Sequence, residues 1–204
     1  MRKSPYVFPF PFEEVRFLKR DLNVSPLNKV YREESMASFS TKTFQKHDDY
    51  MTPLSAWESI SHIIPKDKVI WEPFFGDGKS KEHLMSLGCQ EVIHEDIDFF
   101  ENDKGEVIVT NPPYSDTKKI MPRLKALGKP FILIMPCSKL TTQYVRENFK
   151  DTEDPLQIIV PRKRVQFIKL VDGVMVEQRN CCNFDCFWYC WKMNLPKDLM
   201  WLEK

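Results

Sequence analysis

The sequence lacks the hydrophobic segments that anchor a chain in a membrane or direct it to secretion. No apolar run among its 204 residues reaches the length of about 20 that a membrane-spanning helix needs. Residues 1–5 have no apolar core of the kind found in signal peptides. We therefore expect an intracellular, cytoplasmic protein that is neither secreted nor embedded in a membrane.

The sequence also has almost no net charge, because 30 lysines and arginines against 29 aspartates and glutamates leave +1. Any nucleic-acid binding must therefore come from local patches. A hydrophobic content of 42% can supply a core, and the length suits one domain with an arm. We predict an N-terminal arm at residues 1–45 and one domain at residues 46–204. Basic and aromatic residues interleave in the arm, which would suit a polynucleotide backbone or packing on its own domain equally well.

The six cysteines, in a chain without a secretion signal, predict reduced thiols. Four of them crowd into residues 181–190, with spacings unlike the paired cysteines of structural zinc sites. Cys182, Cys186 and Cys190 would share one face of a strand. We predict that they are small core residues and that the protein binds no metal.

The most informative stretch is Asn111-Pro112-Pro113-Tyr114, which follows a β-branched run at residues 106–110. The run predicts a buried strand. Two consecutive prolines have no N–H groups and cannot continue it, so the chain must leave the sheet as a stiff, extended loop. That loop presents an amide, backbone carbonyls and an aromatic ring, a combination that suits an amino group on a flat ring.

These four residues resemble motif IV of the S-adenosylmethionine-dependent amino-methyltransferases, above all the N6-adenine type. The resemblance implies that Asn111 Oδ1 and the Pro112 carbonyl accept the two N–H groups of the amine, which frees its lone pair to attack the methyl group. Tyr114 would stack on the base. Positioning and electrostatics would carry the catalysis. The resemblance also implies a class I methyltransferase fold: α/β and Rossmann-like, with a mostly parallel sheet, helices on both faces and an antiparallel last strand.

Two stretches upstream extend the resemblance. Residues 72–78, Glu-Pro-Phe-Phe-Gly-Asp-Gly, form the turn after a predicted strand, where open α/β sheets bind ligands. They resemble motif I, the cofactor loop, in which Glu72 can hold a cationic amine. Residues 50–53 resemble motif X, which packs against the methionine end of the cofactor. They precede a predicted helix at residues 54–64, with Thr52 as candidate N-cap and Pro53 at its first position.

A phosphate-binding P-loop is the competing interpretation of the same turn. Gly78-Lys79-Ser80 ends like that motif, but the pattern needs glycine where this chain has Pro73. A nucleotide hydrolase would also have no use for the Asn-Pro-Pro-Tyr stretch. We therefore favour the methyltransferase interpretation.

Acidic residues after the second predicted strand are candidates for binding the ribose and adenine of the cofactor. Asp96, with Glu95 as the alternative, would bond the ribose hydroxyls. Asp98 resembles the motif III acid that reads the adenine amino group, and Phe99 could line the adenine pocket. Only Ile97 separates the two aspartates, where the family has a helix and a short strand. We therefore expect a compact sheet that lacks one strand and one helix.

Basic residues beyond the reactive loop are candidates for contact with a nucleic acid. Residues 115–150 contain eight basic residues against two acidic ones, where a phosphate backbone could run or a solvated helix face could lie. The basic triplet at 162–164, followed by Phe167, resembles the region that packs a flipped base opposite the catalytic tyrosine. An Asp-Gly pair at 172–173 predicts a hairpin turn between two strands. We expect nothing after residue 192 except a short tail.

The sequence therefore predicts an enzyme that transfers the methyl group of S-adenosylmethionine to N6 of adenine in nucleic acid, DNA before RNA. The alternatives are a protein glutamine N5-methyltransferase, which shares Asn-Pro-Pro-Tyr, and a catalytically silent methyltransferase-like subunit that binds nucleic acid or a partner. The predicted catalytic residues are Asn111, Pro112, Pro113 and Tyr114. The predicted cofactor-binding residues are Tyr50, Thr52, Pro53, Glu72, Pro73, Phe74, Gly76, Gly78, Asp96, Ile97, Asp98, Phe99 and Asn111. The predicted substrate-binding residues are Tyr114, Phe167, Arg164 and Lys118.

Overall fold

A computed structural model describes residues 50–171, 174–176 and 182–203. The predicted arm at residues 1–45 and its boundary with the domain lie outside these residues and stay predictions. In chain order the elements are β1 (Tyr50–Met51), α1 (Leu54–Ile60), β2 (Val69–Trp71), α2 (Ser80–Ser86), β3 (Glu91–Ile93), β4 (Val107–Thr110), α3 (Thr117–Leu127), β5 (Phe131–Pro136), a 3₁₀ helix (Cys137–Thr141), α4 (Gln143–Phe149), β6 (Leu156–Val160), β7 (Ile168–Val171), β8 (Val174–Val176), β9 (Cys186–Trp191) and β10 (Leu199–Trp201).

Seven of these strands form the central sheet, in the order β10-β6-β9-β5-β4-β2-β3. Neighbouring strands are parallel except that β9 runs antiparallel to both β5 and β6. The sheet therefore brings the carboxyl ends of β2, β3, β4 and β6 to one edge, together with the start of β9. This edge is where an open α/β sheet binds its ligand.

Helices cover both faces of the sheet because its central strands are apolar on both sides. In β5 every residue is buried, with Ile132 and Ile134 facing one hydrophobic cluster and Phe131 and Leu133 facing the other. The first cluster takes Trp57 and Ile60 of α1 and Leu84 of α2. The second takes Ile120 and Leu124 of α3 and Phe149 of α4. This is the predicted α/β, Rossmann-like architecture, with a mostly parallel sheet and helices on both faces.

The compact region predicted around the two aspartates is confirmed. Within residues 94–106 the chain forms only turns and bends, with neither helix nor strand, and passes directly from β3 to β4. Gly105 makes the entry to β4 with φ +57°, close against the backbone of Val69 and Trp71. The sheet therefore ends at β3 on this side.

The C-terminal segment differs from the sequence-based expectation of a short tail, because β10 extends the sheet parallel to β6. The expectation was wrong because a three-residue strand is too short to show a hydrophobic period. Its position depends on the buried side chain of Gln157, which donates to the Leu195 carbonyl and accepts from the Leu195 N–H, both at 3.0 Å. The antiparallel strand is therefore β9, and one parallel strand follows it.

A second sheet of three strands, in the order β1-β7-β8, lies beside the motif X residues. The register Val171↔Val174 agrees with the predicted hairpin, whose turn residues 172–173 themselves lie outside the described part. Helix α1 is shorter than the predicted span of 54–64 and ends at Ile60. Pro65 disfavours helix in the residue before it, which explains the early end. None of the helices in the described ranges has the length and apolar character needed to span a bilayer.

Candidate active site

A cleft of about 430 Å³ opens between the loops that follow β2, β3 and β4, with β1 at its rim. It joins the stretches that resemble motifs X, I and IV. Gly76 shows how closely they pack, because a Cβ at this residue, whose φ is +55°, would lie 2.9 Å from the Met51 sulfur. Of the predicted site residues, those that line the cleft are Tyr50, Thr52, Glu72, Pro73, Phe74, Gly76, Asp96, Ile97, Asn111 and Pro113.

Four predicted cofactor residues do not line this cleft. Asp98 turns its carboxylate back on the chain, where Oδ1 accepts the N–H of Phe100 at 2.7 Å. Phe99 is buried behind the wall of the cleft, with its ring centroid 5.1 Å from that of Phe74. Gly78 closes the glycine turn, and Pro53 occupies the N-cap position of α1. Asp96 rather than Glu95 is the acid on the cleft wall.

Thr52 was predicted to cap α1 with its side chain, and this prediction is wrong. The cap position belongs to Pro53, and no side-chain hydrogen bond caps the helix. The Thr52 hydroxyl is buried and has no hydrogen-bond partner in the described part of the chain. It lies on the wall of the cleft, where it can bond a ligand instead.

Glu72 is the most deeply buried charged residue of the cleft, with only 1% of its surface exposed. The Thr110 hydroxyl and the N–H of Phe74 both donate to its Oε1 atom. Burial raises the pKa of the Glu72 carboxyl to about 8, although these two donors pull it downward. Behind it, His94 contacts the Glu72 carbonyl through Nδ1 at 3.0 Å. An ionised Glu72 therefore needs a cation beside it, and the structure describes none there.

Glu72→Gln is expected to change how stability depends on pH. Because the folded-state pKa lies above that of an unfolded glutamate, the wild type loses stability as pH rises from about 4.5 to about 8, by up to ~1.4 kcal/mol per unit. The variant does not titrate and escapes this loss. Urea unfolding of the cofactor-free proteins across this range measures the difference. Parallel curves of unfolding free energy against pH for the two proteins would contradict the assigned pKa. The control is Glu106→Gln, which replaces an exposed acid.

Asn111 is held in one orientation by the small sheet. Its Nδ2 atom donates to the Tyr50 carbonyl at 2.8 Å, so the amide oxygen must point the other way. That oxygen, Oδ1, is buried and accepts no hydrogen bond from the described residues. Leaving a buried acceptor without a donor destabilises the protein by about 1–3 kcal/mol, so the arrangement favours a ligand that brings an N–H group. Asn111 follows Thr110, whose hydroxyl bonds Glu72, and the two candidate ligand-binding groups are thereby neighbours.

Tyr114 belongs to a cluster of four aromatic rings with Tyr50, Phe167 and Phe184. Its centroid lies 5.6 Å from that of Phe184 and 6.4 Å from that of Phe167, both in edge-to-face arrangement. The Tyr114 carbonyl accepts from Lys139 Nζ at 3.0 Å, which fixes the end of the loop. The structure thus holds the ring at the carboxyl edge beside Pro113 of the cleft.

The predicted substrate residues lie apart from one another. Phe167 is only 3% exposed and meets Tyr114 at 81°, so no base fits between the two rings in this arrangement. It is drawn into the core because it directly precedes β7, which pairs with β1. Arg164 forms a two-pronged ion pair with Asp185, at 2.8 and 3.2 Å, which holds the pKa of Asp185 below its ordinary value. Lys118 is exposed on the first turn of α3.

Several residues of the site were not predicted from the sequence. Met51, Phe75, Asp77 and Ser80 also line the cleft. Their position inside or next to the motif X and motif I stretches was the signal that could have identified them. Phe184 had no such signal, because its contact with Tyr114 depends on where β9 enters the sheet.

Cys182, Cys186 and Cys190 lie in the core, as predicted, but they do not share one strand. Only Cys186 and Cys190 belong to β9, and Cys182 precedes it. All three belong to the hydrophobic cluster on the α1 face, and no disulfide joins them. Among the residues that the structure describes, no three cysteine, histidine or acidic side chains are grouped to hold a metal ion. Burial raises the pKa of the Cys190 thiol to about 12, consistent with inert core packing.

No protein-family model matches the sequence, and no curated protein sequence matches it either. Among solved structures, the chain is similar to a "putative class I S-adenosylmethionine-dependent methyltransferase" from Listeria monocytogenes, at 12% identity and a TM-score of 0.42, over 78% of this chain and 67% of that chain. It is also similar to precorrin-6y C5,15-methyltransferase from Geobacter metallireducens, at 12% identity and a TM-score of 0.39, over 72% of this chain and 97% of that chain. Similarities of this size carry no argument about function.

Proposed function

We propose that the chain is an enzyme that transfers the methyl group of S-adenosylmethionine to the exocyclic N6 of adenine in nucleic acid, with DNA favoured over RNA. The observation that carries this proposal is the state of Asn111, which lines the cleft together with Glu72. The amide is held by its hydrogen bond to the Tyr50 carbonyl, and its buried Oδ1 atom has no donor among the described residues. An exocyclic amine supplies the missing N–H group.

The cleft fits the proposed cofactor in size and in chemistry. Its volume of about 430 Å³ lies within the range of about 300–1,000 Å³ that small-molecule sites occupy. Among the described residues, its wall carries three acids, Glu72, Asp77 and Asp96, and no lysine or arginine. S-adenosylmethionine, when bound, supplies a methyl group on a cationic sulfur. Glu72 would hold the ammonium group and Asp96 the ribose hydroxyls, while the orphan Thr52 hydroxyl offers one further hydrogen bond.

The residues after β4 would prepare the amine. By accepting an N–H out of the ring plane, Asn111 Oδ1 would pull the nitrogen towards tetrahedral geometry, so that its lone pair is no longer delocalised into the ring and can attack the methyl group. The neighbouring Pro112 carbonyl can accept the second N–H. Tyr114 offers a ring face for stacking and for stabilising positive charge that develops on the base. These groups are fixed by the loop before substrate arrives, so they lose little entropy in the reaction.

Incubation of the purified chain with isotope-labelled cofactor tests the proposal. Single-stranded DNA, duplex DNA, RNA and protein are supplied as acceptors, and digested products are analysed by mass spectrometry. We expect the label in N6-methyladenine, with single-stranded DNA as the better acceptor, because a duplex must first unstack the base. The Asn111→Ala variant serves as the negative control.

Other outcomes of this experiment would contradict the proposal in distinct ways. Label in glutamine side chains would indicate a protein methyltransferase, since a glutamine amide brings the same pair of N–H groups. Cofactor binding without transfer to any acceptor would indicate a silent subunit. We further propose that the protein acts inside the cell, where its nucleic acid lies.

A further inference from the structure

A second groove lies at the carboxyl edge of the sheet, outside the cleft described above. The loop from Pro161 to Gln166, between β6 and β7, forms one wall, and helix α1 forms the other. The groove has a volume of about 320 Å³. Its polar lining consists of Ser55 and Ser59 from the helix and Arg162, Lys163, Arg164 and Gln166 from the loop. We call it the 162–164 groove.

The groove has the charge of an anion site. Three consecutive cations line it, and none of its lining residues is acidic. Asp185 offsets the charge of Arg164 through the ion pair. Among the described residues, the Arg162 guanidinium donates only to the backbone carbonyl of Glu203, through Nη1 at 3.0 Å. Lys163 is exposed to solvent. Both guanidiniums are thus held in place while most donors of Arg162 remain available for an anion.

The groove is connected to the catalytic tyrosine through Asp185. This residue, the ion-pair partner of Arg164, directly precedes β9 and follows Phe184, whose ring packs on Tyr114 at 5.6 Å. Gln166 at the end of the groove is followed by Phe167, which also contacts Tyr114. The groove is therefore one residue along the chain, at Gln166, from a ring that contacts Tyr114.

The other basic region, at residues 115–150, is largely used inside the fold. Arg123 donates to the Asn102 carbonyl, and Lys129 donates to the Gly105 carbonyl and pairs with Asp103. Lys125 lies over the Trp191 ring at 4.3 Å. Lys139 bonds the Tyr114 carbonyl, and Lys150 pairs with Asp151. Five of its eight cations thus have partners within the protein, which leaves the groove as the better candidate for an external anion.

We propose that the 162–164 groove binds the phosphodiester backbone of the nucleic acid whose adenine enters at Tyr114. The inference rests on the proposed function for the identity of the polymer. Backbone contacts of this kind position the substrate without reading its sequence. They would let a chain with a net charge of only +1 bind a polyanion through one local patch.

Binding of a short fluorescein-labelled DNA strand, followed by anisotropy over a series of salt concentrations, tests the inference. Each lost phosphate contact is expected to lower the slope of log K against log salt by about 1 and to weaken binding about tenfold near 0.1 M salt. We therefore expect a tenfold loss for Lys163→Ala and about a hundredfold loss for Arg162→Ala combined with Lys163→Ala. The matched control is Lys197→Ala, which removes an exposed cation from the loop before β10, at the opposite edge of the sheet.

The assay separates this inference from the proposed function because it involves no methyl transfer. If the double variant keeps the DNA affinity and salt slope of the wild type, the proposal that the groove binds the backbone is wrong, even if the wild type makes N6-methyladenine. Failure of the wild type to bind DNA or RNA would overturn it too. If the double variant alone loses DNA binding and the wild type forms no N6-methyladenine, the result would support phosphate binding at the groove and contradict the proposed methylation. Far-UV circular dichroism and thermal unfolding, both expected to be unchanged, verify that each variant is folded.

Discussion

Replacing Asn111 with alanine is expected to lower the rate of methyl transfer by about 10²–10³-fold, the size of effect seen when one preorganised hydrogen-bonding group is removed from a reacting centre. The substitution deletes the buried Oδ1 acceptor and with it the group that draws an N–H of the substrate amine out of the ring plane. It also removes the hydrogen bond that Asn111 donates to the Tyr50 carbonyl at the rim of the cleft. Transfer of labelled methyl groups to DNA, under saturating cofactor, measures the loss.

Cofactor affinity distinguishes a catalytic loss from a folding defect in this variant. We expect the dissociation constant for S-adenosylmethionine to change little, because Glu72 and the glycine turn remain intact. The matched control is Asn148→Ala, which removes a half-buried amide whose Nδ2 bonds the Tyr144 carbonyl within α4. Turnover within a few-fold of wild type in Asn111→Ala would remove that residue from the reaction.

Replacing Glu72 with glutamine is expected to weaken cofactor binding by about 10- to 100-fold, since a hydrogen bond to a charged group contributes about 1.5–3 kcal/mol. The wild type should also release close to one proton per cofactor bound near pH 7. With a pKa of about 8, Glu72 holds a proton in the free protein, and an ammonium group beside it lowers that pKa and drives the proton off. Affinity should therefore rise with pH up to about 8, until the cofactor amine itself begins to deprotonate at about the same pH.

Calorimetry in two buffers of different ionisation enthalpy counts the released protons. Glu72→Gln should release almost no protons. Glu106→Gln, whose acid has its pKa lowered by the Val69 N–H and Lys68, should behave as wild type. Equal proton release in wild type and Glu72→Gln would show that Glu72 does not meet the cofactor cation.

The sheet and its reactive edge could be predicted because local rules decide them. An apolar run before Pro112 and Pro113 can only be a strand that ends there, and a glycine turn after a strand can only be a connection at its carboxyl end. Strand β4, predicted at residues 106–110, was therefore placed within one residue of its observed bounds. The reduced region between β3 and β4 followed from counting residues, since too few lie between Asp96 and β4 to form a helix and a strand.

Other features depend on partners that are distant in the sequence. Strand β10 exists because Gln157 and β6 bind a segment about 40 residues away. Phe167 was predicted to pack on a flipped base, yet pairing of β7 with β1 draws it into the core. Asp98 was predicted to contact the adenine of the cofactor, but one oxygen of its carboxylate accepts the N–H of Phe100 in a local turn.

The sequence by itself determined which groups this protein brings to its site: an amide and a phenol held by two prolines, an acid before a glycine turn, and a cluster of cations at 162–164. The tertiary structure alone decided how these groups are protonated, oriented and hydrogen-bonded. It buried Glu72 until its carboxyl favours the proton, turned the Asn111 oxygen away from every donor in the described chain, and engaged five of the eight cations of residues 115–150 in contacts within the protein. The reason is physical: residue type and spacing follow from the chain, whereas desolvation and hydrogen-bond satisfaction depend on which neighbours the packed sheet brings together.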